Sequence, residues 1–244
     1  MSCIRIVEVL ATPDELFHAS AEEFVRVGRA AIAERGRFTV ALSGGSTPRT
    51  LYSLLARDYA NFNWSHTFLF FGDERHVPPD HADSNYRMVN EALLSKIAIP
   101  AGNVYRVKAE NPNADAAASN YEKALRTFFK LSSVEFPHFD LILLGLGPDG
   151  HTASLFPDSA GLKEQSRLVI ANWVEKFKTH RITFTFPVLN SAADVMFLSS
   201  GANKADMVKQ ILEGHSPPYP AQQVQPEGRL LWMLDGDAAC KLNR

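Results

Sequence analysis

An acid and an imidazole stand two residues apart in the segment LILLGLGPDGHTASLFP, which runs from Leu141 to Pro157. Five of its first six residues are apolar, which predicts a buried strand, and the Gly-Pro-Asp-Gly sequence that follows is typical of a tight turn. An imidazole titrates near neutral pH and suits general-base catalysis, and Asp149 could hold His151 in one tautomer. The same residues also suit an ordinary turn that ends a strand, so both interpretations stay open.

A second candidate site is the segment SGGSTP, which begins at Ser43 between a short apolar strand and a helical pattern. Its two glycines allow a tight turn, Ser46 or Thr47 would cap the helix, and Pro48 suits the first helical turn. The N–H groups and the positive dipole of such a helix end can bind a phosphate. A capped turn without a ligand is the alternative, and the GK[ST] ending of a Walker loop is missing.

Further charged residues lie at predicted strand ends. The segment FGDERHVPPDHADSN brings Asp73 and Arg75 to the end of a third strand, where a solvated charged loop is the alternative. Its acids and histidines are too close in sequence to predict a metal site. Arg181 opens the predicted strand RITFTFP, and Lys204 lies in GANK at a helix start, where a cation is unfavourable unless an anion is near. With SGGSTP, these two cations would form a phosphate clamp, although a solvated lysine is also compatible with the pattern.

The elements that must position these residues alternate along the chain. Strands are predicted over 4–10, 38–42, 66–74, 140–147, 167–174, 181–187, 195–201 and 229–235. Helices are predicted over 13–34, 48–56, 114–130 and 203–212, with another that Ser84 caps and that contains Met88, Leu93, Leu94 and Ile97. This alternation predicts an α/β fold, with a mainly parallel Rossmann-like sheet and helices on both faces, in a single domain over 1–244. Ligands bind at the carboxyl ends of such strands, which selects the loops 43–49, 72–81, 145–157, 172–181 and 200–204.

Composition excludes several classes of protein. The chain has 244 residues, of which 45% are hydrophobic and 21% charged, and a net charge of −2 argues against a nucleic-acid or anionic-membrane surface. Cys3 and Cys240 form neither a disulfide framework nor a metal-binding pattern. We expect a cytoplasmic protein, since neither a signal peptide nor a membrane-length apolar run is visible. The absence of GxSxG disfavours a serine hydrolase.

Six segments, in this order, carry a resemblance to a known family: SGGSTP, FGDERHVPPDHADSN, LGLGPDGHTASLFP, RITFTFPVLN, SGANK and PEGRLLWMLD. Together they resemble the glucosamine-6-phosphate isomerase/6-phosphogluconolactonase family, related in fold to ribose-5-phosphate isomerase, and within it the lactonases. The resemblance implies hydrolysis of 6-phospho-D-glucono-1,5-lactone without a metal or an organic cofactor, by a monomer or a weak homodimer. It implies that His151 is the base, that Asp149 and Asp73 match acidic positions, and that Arg75 lines the substrate site. The sugar-phosphate binders that it implies are Ser43, Gly44, Gly45, Ser46, Thr47, Arg181 and Lys204.

A lactone is an activated ester, so water deprotonated by His151 could attack C1 directly, and Arg75 or backbone N–H groups could stabilise the oxyanion. Whether Asp73 or Asp149 orients the imidazole stays open at this stage.

Two other functions compete with the lactonase. A glucosamine-6-phosphate deaminase/isomerase has a glutamate five residues after the histidine, in a DGHxAFNEP pattern, where this chain has Phe156. Its second motif is of the NxDEY type, whereas this chain has GDERHVP. A non-catalytic sugar-phosphate regulator would need an added DNA-binding module and a basic patch. These differences favour the lactonase.

Overall fold

The computed structural model describes residues 3–214 and 218–243. Its strands, numbered along the chain, are β1 (Ile4–Leu10), β2 (Phe38–Leu42), β3 (Thr67–Phe71), β4 (Asp73–Arg75), β5 (Val104–Tyr105), β6 (Leu141–Gly145), β7 (Val169–Val174), β8 (Thr179–Phe184), β9 (Asp194–Ser199) and β10 (Arg229–Asp235). Its α-helices are α1 (Pro13–Arg35), α2 (Ser46–Asp58), α3 (Asn85–Ala92), α4 (Ala114–Phe129), α5 (Phe186–Asn190) and α6 (Ala205–Glu213).

The main sheet has seven strands in the order β1-β10-β9-β6-β2-β3-β5, and each neighbouring pair is parallel. All five residues of β2 are buried, as are Leu141 to Leu144 of β6. Such continuous apolar runs are expected of parallel strands that are covered on both faces. Helices flank this sheet, and the predicted α/β class is confirmed.

The predicted third strand over 66–74 is wrong in its second half. The chain leaves the main sheet after Phe71, and Asp73 begins β4 in a separate antiparallel sheet of order β4-β8-β7. Gly72 joins the two sheets: its N–H donates to the Leu42 carbonyl at 2.9 Å, and its carbonyl accepts from the Phe184 N–H at 2.8 Å. The chain therefore changes partner strand without interrupting its backbone hydrogen bonds.

The strands β7 and β8 form an antiparallel hairpin rather than part of the parallel sheet. The short connection between them explains this, because a parallel crossover needs a dozen or more residues. Smaller differences lie at element ends. The segment RITFTFP leaves its strand at Phe184 and enters α5, α3 ends at Ala92, and α6 begins at Ala205 after a 3₁₀ turn over Ala202–Lys204.

Candidate active site

A cavity of about 280 Å³ lies between the carboxyl ends of β2 and β6, the strand β4 and the β7–β8 hairpin. Seven of the residues predicted from sequence line it: Ser43, Gly44, Gly45, Asp73, Arg75, His151 and Arg181. Asp149, Ser46, Thr47 and Lys204 lie outside this lining; Asp149 and Lys204 contact residues that line the cavity, and Ser46 and Thr47 are the first two residues of α2.

The turn after β6 positions the imidazole. The Gly147 N–H donates to the His151 carbonyl at 2.9 Å, and the Gly150 N–H donates to the Gly147 carbonyl at 3.1 Å. Gly150 has a φ of 74°, a left-handed conformation that disfavours a side chain. Gly147 is required for another reason, since a Cβ there would lie 2.0 Å from His151 Nδ1. Both glycines of the GPDG turn are thus needed for this geometry.

The orientation of His151 is set by Asp149, because the His151 Nδ1 is hydrogen-bonded to Asp149 Oδ1. Partial burial alone would raise the pKa of Asp149, but the hydrogen bond and the charge of His151 lower this pKa below its ordinary value. A carboxylate at Nδ1 leaves Nε2 as the ring nitrogen that can accept a proton. The imidazole also stacks on Phe156, with ring centroids 4.0 Å apart and an interplanar angle of 24°.

The other acid, Asp73, bonds elsewhere. It is 7% exposed, and its carboxylate accepts from Ser154 Oγ at 2.7 Å and from Asn85 Nδ2 at 3.2 Å. These neutral donors fix the carboxylate in the cavity wall, and the question of which acid orients His151 is thereby answered in favour of Asp149.

The loop before α2 and the N-cap of that helix form another part of the cavity wall. The predicted cap by Ser46 or Thr47 is wrong, because the helix begins at Ser46 and its N-cap is Gly45, with a φ of 110°. No side chain of residues 3–214 and 218–243 caps this helix end, so its first N–H groups stay available to an anion. Tyr52 holds the preceding loop, since its hydroxyl donates to the Ser43 carbonyl at 2.9 Å and accepts from the Ser43 N–H at 3.0 Å.

Two arginines face each other across the smaller sheet, where Arg75 of β4 is the direct partner of Arg181 in β8. Like charges directly opposite each other destabilise a strand pair, so an anionic group beside either guanidinium would relieve this repulsion. Burial lowers the pKa of Arg181, and the charge of Arg75 lowers it further. The Arg181 guanidinium lies 5.2 Å from the ring centroid of Phe177, and its Nε has no hydrogen-bond partner in the described part of the chain.

Lys204 approaches the cavity from α6, of which it is the N-cap. Its Nζ donates to the Leu146 carbonyl at 2.8 Å, and Leu146 itself lines the cavity. Burial lowers the pKa of Lys204, with a partly opposing effect of Asp149. A half-buried ammonium group with one neutral partner is a good ligand for a phosphate.

Eight lining residues were not predicted as site residues from the sequence: Asn85, Gly145, Leu146, Gly147, Ala153, Ser154, Phe156 and Phe177. Ser154 could have been found from its place in the strand-end loop 145–157, whereas the place of Asn85 directly after the predicted cap Ser84 indicates no role in the site. Within residues 3–214 and 218–243, no group of three or more His, Cys, Asp or Glu side chains could hold a metal ion. None of the helices in the same ranges combines the length and the apolarity needed to span a bilayer.

Comparison with known proteins identifies the family of this chain. The sequence profile of the family described as "Glucosamine-6-phosphate isomerases/6-phosphogluconolactonase" matches residues 11–232. A 6-phosphogluconolactonase from a Nostoc species is 41% identical over 241 residues, which cover 98% of this chain and 99% of the relative. The chain belongs to the glucosamine-6-phosphate isomerase/6-phosphogluconolactonase family.

Solved structures with a similar fold superpose closely on this chain. The structure of a 6-phosphogluconolactonase from Trypanosoma brucei is 32% identical and has a TM-score of 0.90, covering 99% of this chain and 100% of its own. A monomeric glucosamine-6-phosphate deaminase has a TM-score of 0.79 at 20% identity, covering 97% of this chain and 99% of its own. That second likeness concerns the fold alone, so the fold does not choose between the family's activities. The side chains around His151 must do so.

Proposed function

We propose that this protein hydrolyses 6-phospho-D-glucono-1,5-lactone to 6-phospho-D-gluconate, the second step of the oxidative pentose phosphate pathway. The observation that carries the proposal is a carboxylate-bound imidazole, Asp149–His151, at a cavity that also has anion-binding groups. The Nostoc and Trypanosoma brucei relatives, both named 6-phosphogluconolactonase, support the choice of substrate.

In the proposed reaction, His151 Nε2 takes a proton from water as the water oxygen bonds to C1 of the lactone. Asp149 stabilises the imidazolium that forms. The bond between C1 and the ring oxygen then breaks, and the imidazolium returns its proton to that oxygen. The new carboxylic acid ionises and releases a proton to solvent. Water oxygen and both protons are thus accounted for without a covalent enzyme intermediate.

The anion-binding groups divide between the two ends of the substrate. The N-terminus of α2, with the loop 43–47, and the cations Arg181 and Lys204 would hold the phosphate, which orients C1 toward the imidazole. Arg75 would stabilise the negative charge that develops on the carbonyl oxygen. Asp73, fixed by its two neutral donors, would partly offset the charge repulsion between Arg75 and Arg181.

The surroundings of the imidazole also support lactone hydrolysis over amino-sugar deamination. The deaminase pattern has a glutamate at the position of Phe156, and this carboxylate assists opening of the sugar ring. Here the position carries an aromatic ring stacked on His151, which supplies neither a proton nor a charge. A 1,5-lactone needs no such group, because hydrolysis itself opens the ring.

The test compares two substrates. The lactone, generated in place by oxidation of glucose 6-phosphate, is followed by proton release and corrected for its spontaneous opening, while glucosamine 6-phosphate is assayed for ammonia. We expect acceleration with the lactone only, and a loss of roughly 10²–10⁴-fold in His151→Ala. The exposed His138 provides the matched control, and His138→Ala should keep full activity. Ammonia release without lactone hydrolysis would overturn the proposal.

A further inference from the structure

Asn85 is a buried carboxamide in the cavity wall that the reaction above does not use. It is the first residue of α3, it is 1% exposed, and it lines the cavity. Its Nδ2 donates to the Asp73 carbonyl at 2.9 Å and to the Asp73 carboxylate at 3.2 Å. Both partners are acceptors, so the amide orientation is fixed: a flipped amide would turn Oδ1 against two oxygens.

The position of this amide is also fixed. The backbone N–H groups of Asn85 and Tyr86 donate to the Glu74 carboxylate at 2.7 and 2.8 Å. Glu74 is 2% exposed, and it also accepts from Ser84 Oγ at 3.2 Å. The helix end that carries Asn85 is therefore tied to β4, and the side chain has no freedom to seek another partner.

The consequence is an acceptor without a donor. Asn85 Oδ1 is buried and has no hydrogen-bond partner among residues 3–214 and 218–243. Asn85 Oδ1 lies beside the loop 43–47, 1.8 Å from the position that a Cβ on Gly44 would occupy. A buried acceptor left unsatisfied is unfavourable, which is a reason to expect that a ligand of this cavity supplies the donor.

A carbonyl oxygen repels a phosphate dianion and a lactone carbonyl, but it accepts from a hydroxyl. We propose that Asn85 is a specificity-determining residue whose Oδ1 accepts a hydrogen bond from one ring hydroxyl of the sugar lactone. This inference rests on the proposed function. In this arrangement Asp73 fixes the orientation of the Asn85 amide, and Asn85 Oδ1 then accepts from the sugar hydroxyl. A site built in this way rejects an analogue that lacks the hydroxyl, because Oδ1 is again left unpaired.

The experiment removes each partner of the proposed hydrogen bond in turn, first a sugar hydroxyl and then the Asn85 carboxamide. The parent lactone and its 2-deoxy, 3-deoxy and 4-deoxy analogues are assayed with wild type and with Asn85→Ala. We expect kcat/KM of the wild type to fall at least about tenfold for one analogue beyond its fall for the other two. In Asn85→Ala that particular penalty should disappear. Ser154→Ala is the matched control, because it removes the other donor to Asp73 and leaves Oδ1 untouched, so it should keep the selectivity of the wild type.

Three results separate the possible failures. If Asn85 only supports Asp73, Asn85→Ala lowers kcat/KM by one common factor for all four lactones, and the inference is overturned. If the wild type itself does not distinguish the three analogues, the inference fails even where the variant does not fold. If the wild type does not accelerate opening of the parent lactone, the proposed function fails first, and the inference falls with it.

Discussion

Replacement of Gly147 by alanine tests the geometry of the proposed base directly. The added Cβ would lie 2.0 Å from His151 Nδ1, 2.1 Å from Cε1 and 2.8 Å from Cγ. The backbone of Gly147 lies outside the left-handed region, so alanine is conformationally allowed and the collision with the imidazole is the main effect. Relief requires that the ring retreat to about 3.4 Å from the new methyl group.

Movement of the imidazole is restricted, because Asp149 is hydrogen-bonded to Nδ1 and Phe156 stacks on the ring with a centroid distance of 4.0 Å. A misplacement of about 1 Å at a reacting group costs roughly 100-fold in rate. We therefore expect kcat for the lactone to fall by about 10²–10⁴-fold in Gly147→Ala, the upper end being the full contribution of a general base. Stability should fall by only about 1–3 kcal/mol, the usual cost of overpacking.

The assay is initial-rate hydrolysis, corrected for spontaneous opening, with a parallel urea titration of unfolding. Gly102→Ala is the matched control, since in the described part of the chain no heavy atom other than those of Gly102 and its two chain neighbours lies within 4 Å of the added Cβ, and it should match the wild type in both measurements. If kcat of Gly147→Ala is close to that of the wild type, catalysis does not depend on the position of the His151 ring beside Gly147.

Three further predictions concern charge. Asp149→Asn should lower kcat by about 100-fold or more in the rate assay with little change in Tm, because it removes the carboxylate that stabilises the imidazolium; an unchanged kcat would contradict this. Lys204→Met should raise KM for the lactone at least about tenfold while kcat changes less, and an equal KM would rule out its part in the clamp. Burial would raise the pKa of Glu164, but hydrogen bonds from Ser166 and Arg167 lower it to about 2. Since the usual value is 4.5, Glu164 stabilises the fold above pH 4.5 and loses this effect as pH falls toward 2. Glu164→Gln should thus be less stable than wild type in urea at pH 7, with a difference that closes over that interval; a constant difference would refute the linkage.

Most strands of the main sheet could be predicted from the sequence, because each is a short apolar run that is recognisable without knowledge of its partner strands. The predicted bounds of β1, β2 and β10 match the structure, as does the start of α1. The strand-end rule also selected the loops that build the cavity. Each of the five loops contributes, the last of them through the contact of Lys204 with the Leu146 carbonyl.

The features that the sequence did not predict depend on which strands and side chains meet in the folded chain. The change of sheet at Gly72 has no periodic signature, since β3 and β4 read as one apolar-to-polar strand. The antiparallel hairpin was accessible in principle, because the connection between β7 and β8 is too short for a crossover helix. Asn85 was not, because an amide in an acidic segment has the composition of a solvated loop until Glu74 and Asp73 are placed around it.

The double hydrogen bonding of Gly72 has a dynamic consequence. One wall of the cavity belongs to the main sheet and the other to the smaller sheet, and the peptide groups on either side of Gly72 bond to both. Opening of the cavity by separation of the walls must break the bond to Leu42 or the bond from Phe184. Amide hydrogen exchange at Gly72 and Phe184 therefore reports subglobal opening of the cavity, and strong protection there would mean that substrate enters and product leaves without any movement of one sheet against the other.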